Sequence, residues 1–269
     1  MTAARLPVRK TYKLFIGGAF PRSESGRTYL AEGQNVARAS RKDLRDAVRA
    51  ARGAFAKWSG MTAYNRGQVL YRVAEMMEAR RAEFAELCSG KAEVERSIDR
   101  FVWYAGWADK FAQVIGSSNP VAAPYFNFTI PEPTGVVGVI APPEPALEGL
   151  VSRVAPVVVG GNSAVVLASE PSPLAGIELA EALATSDVPG GVVNILTGRQ
   201  AELAPWLAGH MDVNAIDLTG ADGNGQVPEL ERLAAENVKR VVRGPAKGQS
   251  PYEIAAFLEL KTVWHPIGV

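Results

Sequence analysis

The sequence is short of cysteine and histidine, and neither sign of charge is in excess. It has one cysteine, Cys88, and two histidines. A single cysteine excludes a disulfide within the chain and is typical of a reducing compartment. So few cysteines and histidines cannot build a Cys/His-rich metal site. With 29 basic and 28 acidic residues, the formal net charge is +1, so the sequence gives no basic surface for nucleic acid.

Long apolar runs are also absent. The most apolar stretch, 135–141 (GVVGVIA), is too short to cross a bilayer and is soon followed by prolines. The first twenty residues contain no extended apolar segment of the kind found in secretory signals. Lys and Arg do not form a block that would bind an anionic membrane surface. We therefore expect a cytoplasmic chain with no membrane and no nucleic-acid partner.

The N-terminal half shows helical patterns. Ser40 and Asp43 form a capping box, in which each side chain satisfies a free backbone N–H at the start of a helix. Apolar residues then recur at helical spacing, first after Ser40 and again near 62–88 and 92–115. Val102, in the last of these segments, is expected to face inward. After two prolines, residues 125–130 (YFNFTI) alternate like a strand with one buried face.

The C-terminal half alternates short apolar runs with helical patterns. Strands are predicted near 135–141, 163–168, 192–196, 213–219, 239–243 and 257–264. Helices are predicted near 146–158, 172–186, 200–209 and 227–236. Strands made of continuous Val, Ile and Leu are expected where helices cover both faces of a sheet. The sequence therefore predicts the α/β class, with a doubly wound parallel sheet.

Several motifs, in a fixed order, resemble the NAD(P)-dependent aldehyde dehydrogenases. They are YAGWADKF at 104–111, EPTGVVGVIAP at 132–142, PGGVVNILTG at 189–198, DLTG at 217–220 and LELKTV at 258–263. The resemblance covers about 12–243 and 252–264. It implies a Rossmann-like parallel sheet with N-terminal helices and a small oligomerisation β-arm. The corresponding parts here are an N-terminal helical part (1–123), the arm (124–134), the parallel sheet (135–246) and a C-terminal oligomerisation strand (247–269).

The resemblance also implies that the catalytic groups are missing. In the family, a catalytic domain with the nucleophilic cysteine fills the place where this chain has only about Gly244 to Tyr252. Cys88 lies far upstream, without an adjacent cation to lower its pKa, and is expected to be buried and unreactive. Gly244 occupies the position of the family's general base. Glu144 occupies that of an oxyanion-binding asparagine, where a carboxylate would repel the anion. Glu144 is more simply a solvated acid near a helix start.

The positions that the resemblance assigns to the cofactor are altered as well. Leu167 replaces a lysine that contacts the adenine ribose. Glu170 matches an acid beside that site, and it either touches a ribose hydroxyl or is a surface carboxylate at a strand end. The turn from Gly220 to Gly225 matches a Gly-x-Thr-x-x-Gly motif that approaches the pyrophosphate, but Asp222 replaces the threonine. The alternative for this turn is a simple glycine-rich loop. Glu170, Gly220 and Gly225 remain the candidate NAD(P) residues, and any binding is expected to be weak.

Two classes of function remain open. The first is an aldehyde dehydrogenase-like pseudoenzyme, a structural or regulatory subunit that associates with itself or with a full-length aldehyde dehydrogenase. In the family, the C-terminal strand pairs with the catalytic domain of a neighbouring subunit, and here only the strand is present. The residues expected at this oligomerisation surface are Tyr125, Phe126, Phe128, Ile130, Phe257, Leu258, Leu260, Val263 and Trp264. The second class is an NAD(P)-binding oxidoreductase that retains cofactor binding or residual activity.

Overall fold

The N-terminal part combines a small sheet with a group of helices. The structure, a computed structural model, describes residues 10–221, 225–245 and 248–268. The small sheet contains β1 (Thr11–Tyr12), β2 (Thr28–Ala31) and β3 (Gln34–Ala37). The helices that follow are α1 (Arg41–Ser59), α2 (Ala63–Ala79), α3 (Arg81–Leu87), α4 (Lys91–Trp107) and α5 (Phe111–Ile115).

The helix starts follow the sequence closely, whereas two long helices are interrupted. The capping box at α1 is confirmed: Asp43 N donates to Ser40 Oγ (3.3 Å), and Ser40 N donates to the Asp43 carboxylate (2.7 Å). The helix predicted over 62–88 breaks at Arg80, whose guanidinium is held by Glu178 and Glu181. The helix predicted over 92–115 likewise divides into α4 and α5. The prediction for Val102 was wrong, since this residue is 39% exposed.

A two-stranded piece leads into the parallel sheet. It contains β4 (Ser118–Asn119) and β5 (Tyr125–Pro133). The strands of the parallel sheet are β6 (Val136–Ile140), β7 (Ser163–Leu167), β8 (Val193–Leu196), β9 (Ala215–Asp217) and β10 (Arg240–Val242). The connecting helices are α6 (Ala146–Val159), α7 (Leu174–Thr185), α8 (Gln200–Ala208) and α9 (Val227–Ala235).

The five strands lie in the order β10-β9-β6-β7-β8, and all neighbouring pairs are parallel. One face of the sheet packs against a core that includes α2, α4, α6 and α7, and the other against a core that includes α1, α8 and α9. This confirms the predicted Rossmann-like fold. The direction of winding reverses between β6 and β9, which is the place where open α/β sheets usually bind ligands.

The chain ends with α10 (Pro251–Ala255) and β11 (Leu258–Pro266). Strand β11 runs antiparallel to β5 along its nine residues, and the sheet has the order β11-β5-β4. Phe257 and Leu258 differ from the sequence prediction, because they are 0% and 1% exposed and belong to the main core. The Phe257 carbonyl accepts a hydrogen bond from Asn162 Nδ2 (3.0 Å). These two residues therefore anchor β11 to the body and are not part of an exposed oligomerisation surface.

One apolar core joins the N-terminal helices, the parallel sheet and residues 254–258. The division of the chain at 123, 134 and 246 remains a prediction, and position 246 itself lies outside the described residues. Within the described ranges, no helix is both long and apolar enough to cross a membrane.

Candidate functional site

The loops after β6 and β9 meet at the carboxyl edge of the sheet, directly against each other. The turn Thr219–Ala221 follows β9 and packs on the loop after β6. A Cβ atom added to Gly220 would lie 2.1 Å from the Ala141 carbonyl oxygen and 2.5 Å from that of Ile140. The backbone of the loop after β6 therefore leaves no room for a side chain at position 220. The glycine that was predicted to face a pyrophosphate packs here against its own chain.

Glu170 lies in the loop after β7, where both of its carboxylate oxygens have partners. Arg199 Nη1 donates to Oε1 (2.5 Å), and the backbone N of Gln200 donates to Oε2 (2.9 Å). Gln200 is the first residue of α8, where a negative charge is favourable. The structure therefore assigns the Glu170 carboxylate to the start of α8.

The other predicted cofactor positions do not complete a site. Leu167 is 1% exposed, within the sheet. Gly225 has a φ of +72° and open space around its Cα, as expected of a glycine in a solvated loop. Asp222 lies outside the described residues. Glu170 and Gly220 follow β7 and β9, the two strands that flank β6. Both carboxylate oxygens of Glu170 are already bonded within the protein, and Leu167 has no donor for a ribose hydroxyl, so these residues fit a dinucleotide poorly.

A buried ion network lies at the same edge of the sheet, where β9 ends. Arg153, on α6, is 1% exposed, and it donates to Asp217 at the end of β9 (2.5 Å) and to Glu253 on α10 (2.5 Å). Burial alone would lower the pKa of this guanidinium, but the two carboxylates outweigh burial and raise the pKa. Asp217 also accepts hydrogen bonds from Thr219 N (2.9 Å) and Thr219 Oγ1 (2.5 Å). The network thus ties the middle of α6, the end of β9 and α10 together.

Gly244 packs on this network. Its backbone N donates to Thr219 Oγ1 (3.0 Å), and an added Cβ would lie 2.4 Å from Arg153 Nη1. The position that the resemblance assigns to the general base therefore has no room for a side chain while Arg153 keeps this place. Sequence reasoning missed the network. The only indication of this network in the sequence was the arginine within the mainly apolar helix ALEGLVSRVAPVVV.

The N-terminus of α6 is occupied by an acid from another helix. Glu93, on α4, is 1% exposed, and its Oε1 accepts from the backbone N of Leu147 (2.8 Å) and of Glu148 (3.1 Å). Backbone N–H groups at a helix start often bind phosphate or other anions. At the start of α6, the Glu93 carboxylate accepts the hydrogen bonds that such an anion would otherwise accept. Glu144, just ahead of the helix, is exposed, as predicted for a solvated loop acid.

Cys88 is half-buried at the end of α3. Burial raises the pKa of its thiol to about 12, and the carboxylates of Glu93 and Glu32 act in the same direction. At neutral pH the thiolate, which is the nucleophilic form, is therefore almost unpopulated. Across the described parts of the chain, no three His, Cys, Asp or Glu side chains are grouped so as to hold a metal ion.

The small sheet of β5 and β11 presents aromatic side chains on both faces. Phe126 and Phe128 stack with their ring centroids 5.3 Å apart on one face. On the other face, Tyr125 and Trp264 make an edge-on contact at 6.0 Å. Trp264 is 57% exposed and Phe126 is 49% exposed. Apart from Phe257 and Leu258, the residues predicted for the oligomerisation surface therefore lie together on this sheet, at least partly accessible.

Sequence and structure comparisons agree with this architecture. The sequence profile of the Aldehyde dehydrogenase family matches residues 30–261. The chain belongs to the aldehyde dehydrogenase family. It is 32% identical to the cytosolic 10-formyltetrahydrofolate dehydrogenase of Pongo abelii, over 97% of this chain and 31% of that protein. It is 34% identical to retinal dehydrogenase 2 of Gallus gallus, over 93% of this chain and 51% of that protein.

Solved structures of family members share the fold. HpcC from Thermus thermophilus matches with a TM-score of 0.81 and 30% identity, over 87% of this chain and 48% of that one. The NAD+ complex of an aldehyde dehydrogenase from Bacillus cereus matches with a TM-score of 0.79 and 28% identity, over 86% of this chain and 50% of that one. This aldehyde dehydrogenase-like chain thus spans about a third to a half of the length of its relatives.

Proposed function

We propose that this chain is a non-catalytic aldehyde dehydrogenase-like subunit, which acts by associating with itself or with a full-length aldehyde dehydrogenase. The observation that carries the proposal is the ion network where β9 ends. Arg153 leaves no room for a side chain at position 244, and it also binds Glu253 on α10.

Aldehyde oxidation in this family would need a thiolate, a base that activates water, and donors for the oxyanion. The described residues offer a poor set. The Cys88 thiol has a pKa raised to about 12, and Glu93 occupies the first N–H groups of α6. Glu144 would bring a negative charge to the place where an oxyanion needs a donor.

The second support is the β5–β11 sheet. It projects exposed aromatic and aliphatic side chains, including Phe126, Ile130 and Trp264. A three-stranded sheet is stabilised when its apolar side chains are packed against another surface. Association would cover this apolar surface. The cytoplasm remains the proposed location, supported by the cytosolic relative named above.

Activity measurements on the purified chain test the absence of catalysis. The chain is mixed with short-chain and aromatic aldehydes and with NAD+ or NADP+, and NAD(P)H absorbance is followed. We expect no rate above the protein-free blank, and the same result for Cys88→Ser. A steady rate that disappears in Cys88→Ser would contradict the proposal.

Co-expression with a full-length aldehyde dehydrogenase from the same source, followed by affinity capture, tests the association. Either self-association of the chain or capture of that enzyme supports the proposal. A monomer that captures no full-length relative would remove its basis.

A second candidate function is a dinucleotide-binding oxidoreductase. It is favoured by the parallel strand order and by the likeness to a structure solved as an NAD+ complex. The two candidates differ in affinity for NAD(P)H. A fluorescence titration is expected to show weak or no binding, whereas a dissociation constant in the low micromolar range, on the order of −8 kcal/mol, would favour the second candidate.

A further inference from the structure

Strand β11 has one free edge, and the direction of its hydrogen bonds can be read from its ends. Ile267 N donates to Pro124 O (2.8 Å), and Thr134 N donates to the Phe257 carbonyl (3.2 Å). Phe257 and Ile267, which flank the strand, therefore direct these peptide groups toward β5. Both residues have odd numbers. In an antiparallel pair this direction alternates from residue to residue. The N–H and C=O groups of Leu260, Thr262 and Trp264 must then point away from β5.

This outer edge is uncovered along most of the strand. In the sheet order β11-β5-β4, β11 is an edge strand, and all of its residues from Leu260 to Pro266 are exposed. Leu260 is 54% exposed and Trp264 is 57% exposed. A long edge with apolar side chains is a template for pairing with another chain.

We propose that β11 pairs with β11 of a second copy of this chain, antiparallel and about a twofold axis at Thr262. The inference rests on the proposed function, because it names the partner and the contact for association. Thr262 then faces its counterpart, and Leu260 faces the partner's Trp264. Each outward N–H of these three residues meets an outward C=O, giving about six hydrogen bonds between strands. The two small sheets become one six-stranded sheet.

The register follows from the matching of apolar side chains and from charge. Centring on Thr262 opposes the exposed Leu260 to the partner's exposed Trp264, so two apolar side chains meet on each side of the axis. It also opposes Glu259 to the partner's His265, and Lys261 to the partner's Val263. Pro266 has no N–H and therefore ends the ladder. The contact is isologous, as expected of a twofold dimer.

Neighbouring registers are less favourable. A twofold axis at Lys261 would place two lysines directly opposite each other, where like charges destabilise a pair of strands. An axis at Val263 would oppose Lys261 to the partner's His265 and Thr262 to the partner's Trp264, so Leu260 and Trp264 would not meet. An axis at Leu260 would pair only the first part of the strand, next to the buried Leu258.

Cysteine cross-linking distinguishes these registers. In a directly opposed, hydrogen-bonded pair the Cα atoms lie about 5.5 Å apart, which is within the range of disulfides. We expect Thr262→Cys to form a covalent dimer under mild oxidation, with at least about a tenfold higher yield than Lys261→Cys or Val263→Cys. The unchanged chain is the control for Cys88, and it should give no cross-linked dimer on a non-reducing gel.

Light scattering gives an independent readout. The unchanged chain is expected to be a dimer. Leu260→Lys and Trp264→Lys should shift it toward monomer, because each places a charge opposite an apolar residue at the dimer contact. Tyr252→Lys is the matched control, since Tyr252 is 79% exposed on α10 and lies outside the pairing. This variant should remain dimeric.

The outcomes separate this inference from the proposed function. A monomeric chain overturns the inference, and if that monomer captures a full-length aldehyde dehydrogenase, the proposed function stands. A dimer that cross-links at Lys261→Cys or Val263→Cys, or that persists in Leu260→Lys and Trp264→Lys, also overturns the inference. A Thr262-linked dimer with Cys88-dependent dehydrogenase activity supports the inference and refutes the proposed function.

Discussion

Removing the guanidinium of Arg153 should cost about 3–5 kcal/mol of folding stability. In Arg153→Met, a side chain of similar length replaces the arginine, and two carboxylates lose their partner. Asp217 is 0% exposed, so its charge would remain buried with two hydrogen bonds from Thr219 but without a cation. Breaking a buried ion pair from one side typically has a cost of this size, because the remaining ion stays desolvated. Glu253 is partly accessible, at 17% side-chain exposure, and contributes less.

Urea unfolding followed by circular dichroism measures this loss. With a denaturant slope of about 3 kcal/mol/M, the midpoint should fall by about 1–1.7 M. The double variant Arg153→Met/Asp217→Asn removes both charges, and it should be more stable than Arg153→Met by about 1–3 kcal/mol. The asparagine in that variant keeps a side-chain oxygen that can accept from Thr219.

An exposed ion pair provides the control. Arg232 contacts Glu229 and Glu236 on the surface of α9, with 60% side-chain exposure. Arg232→Met should change the stability by less than about 0.5 kcal/mol. The reasoning is refuted if Arg153→Met costs less than about 1 kcal/mol, or if the double variant is no more stable than Arg153→Met. Either result would mean that the ion network does not hold α6, β9 and α10 together.

Three further measurements test other parts of the structure. Phe257→Ala should lower the free energy of unfolding by about 3–5 kcal/mol, since the Phe257 ring is fully buried. A decrease of less than about 1 kcal/mol would mean that the ring is not part of the core. In the folded protein the Cys88 thiol should react with iodoacetamide on the order of 10³-fold more slowly than in the urea-unfolded protein at the same pH. The reason is that the fold raises the pKa of this thiol from 9.0 to about 12. Equal reaction rates in the two states would contradict this prediction. Burial lowers the pKa of Lys239 from 10.5 to about 8, so the unfolded chain holds this proton more tightly and stability should rise between these pH values. Unfolding curves at about pH 7–10 should show a rise of roughly 1–3 kcal/mol that is absent in Lys239→Met, and parallel pH profiles would argue against it.

The sequence by itself predicted most secondary structure, because short apolar runs and helical spacing are local signals. The start of α1 was clear from Ser40 and Asp43, whose bonds lie within one turn. The parallel strands follow from runs of Val, Ile and Leu that suit a sheet covered on both faces. The family resemblance was also readable from the chain alone, and the altered positions that it assigns to Glu144, Leu167 and Gly244 remain predictions.

Several features depended on contacts that local patterns do not contain. The break between α2 and α3 coincides with Arg80, whose guanidinium is held by Glu178 and Glu181, far along the chain. Phe257 and Leu258 follow the same apolar pattern as the exposed residues of β11. Only packing against the body of the protein separates these two groups.

What the sequence determined, then, was the set of helices and strands, the parallel sheet and the family, because these depend on periodicity and on motifs in order. The tertiary structure alone decided which charged groups meet at the carboxyl edge of the sheet. Arg153 meets Asp217 and Glu253 there, and Glu93 meets the start of α6, across 54 or more positions of the sequence. A charged residue in an apolar segment shows that a partner is needed, since a buried charge must be compensated. Which partner it finds depends on the fold that brings the two together.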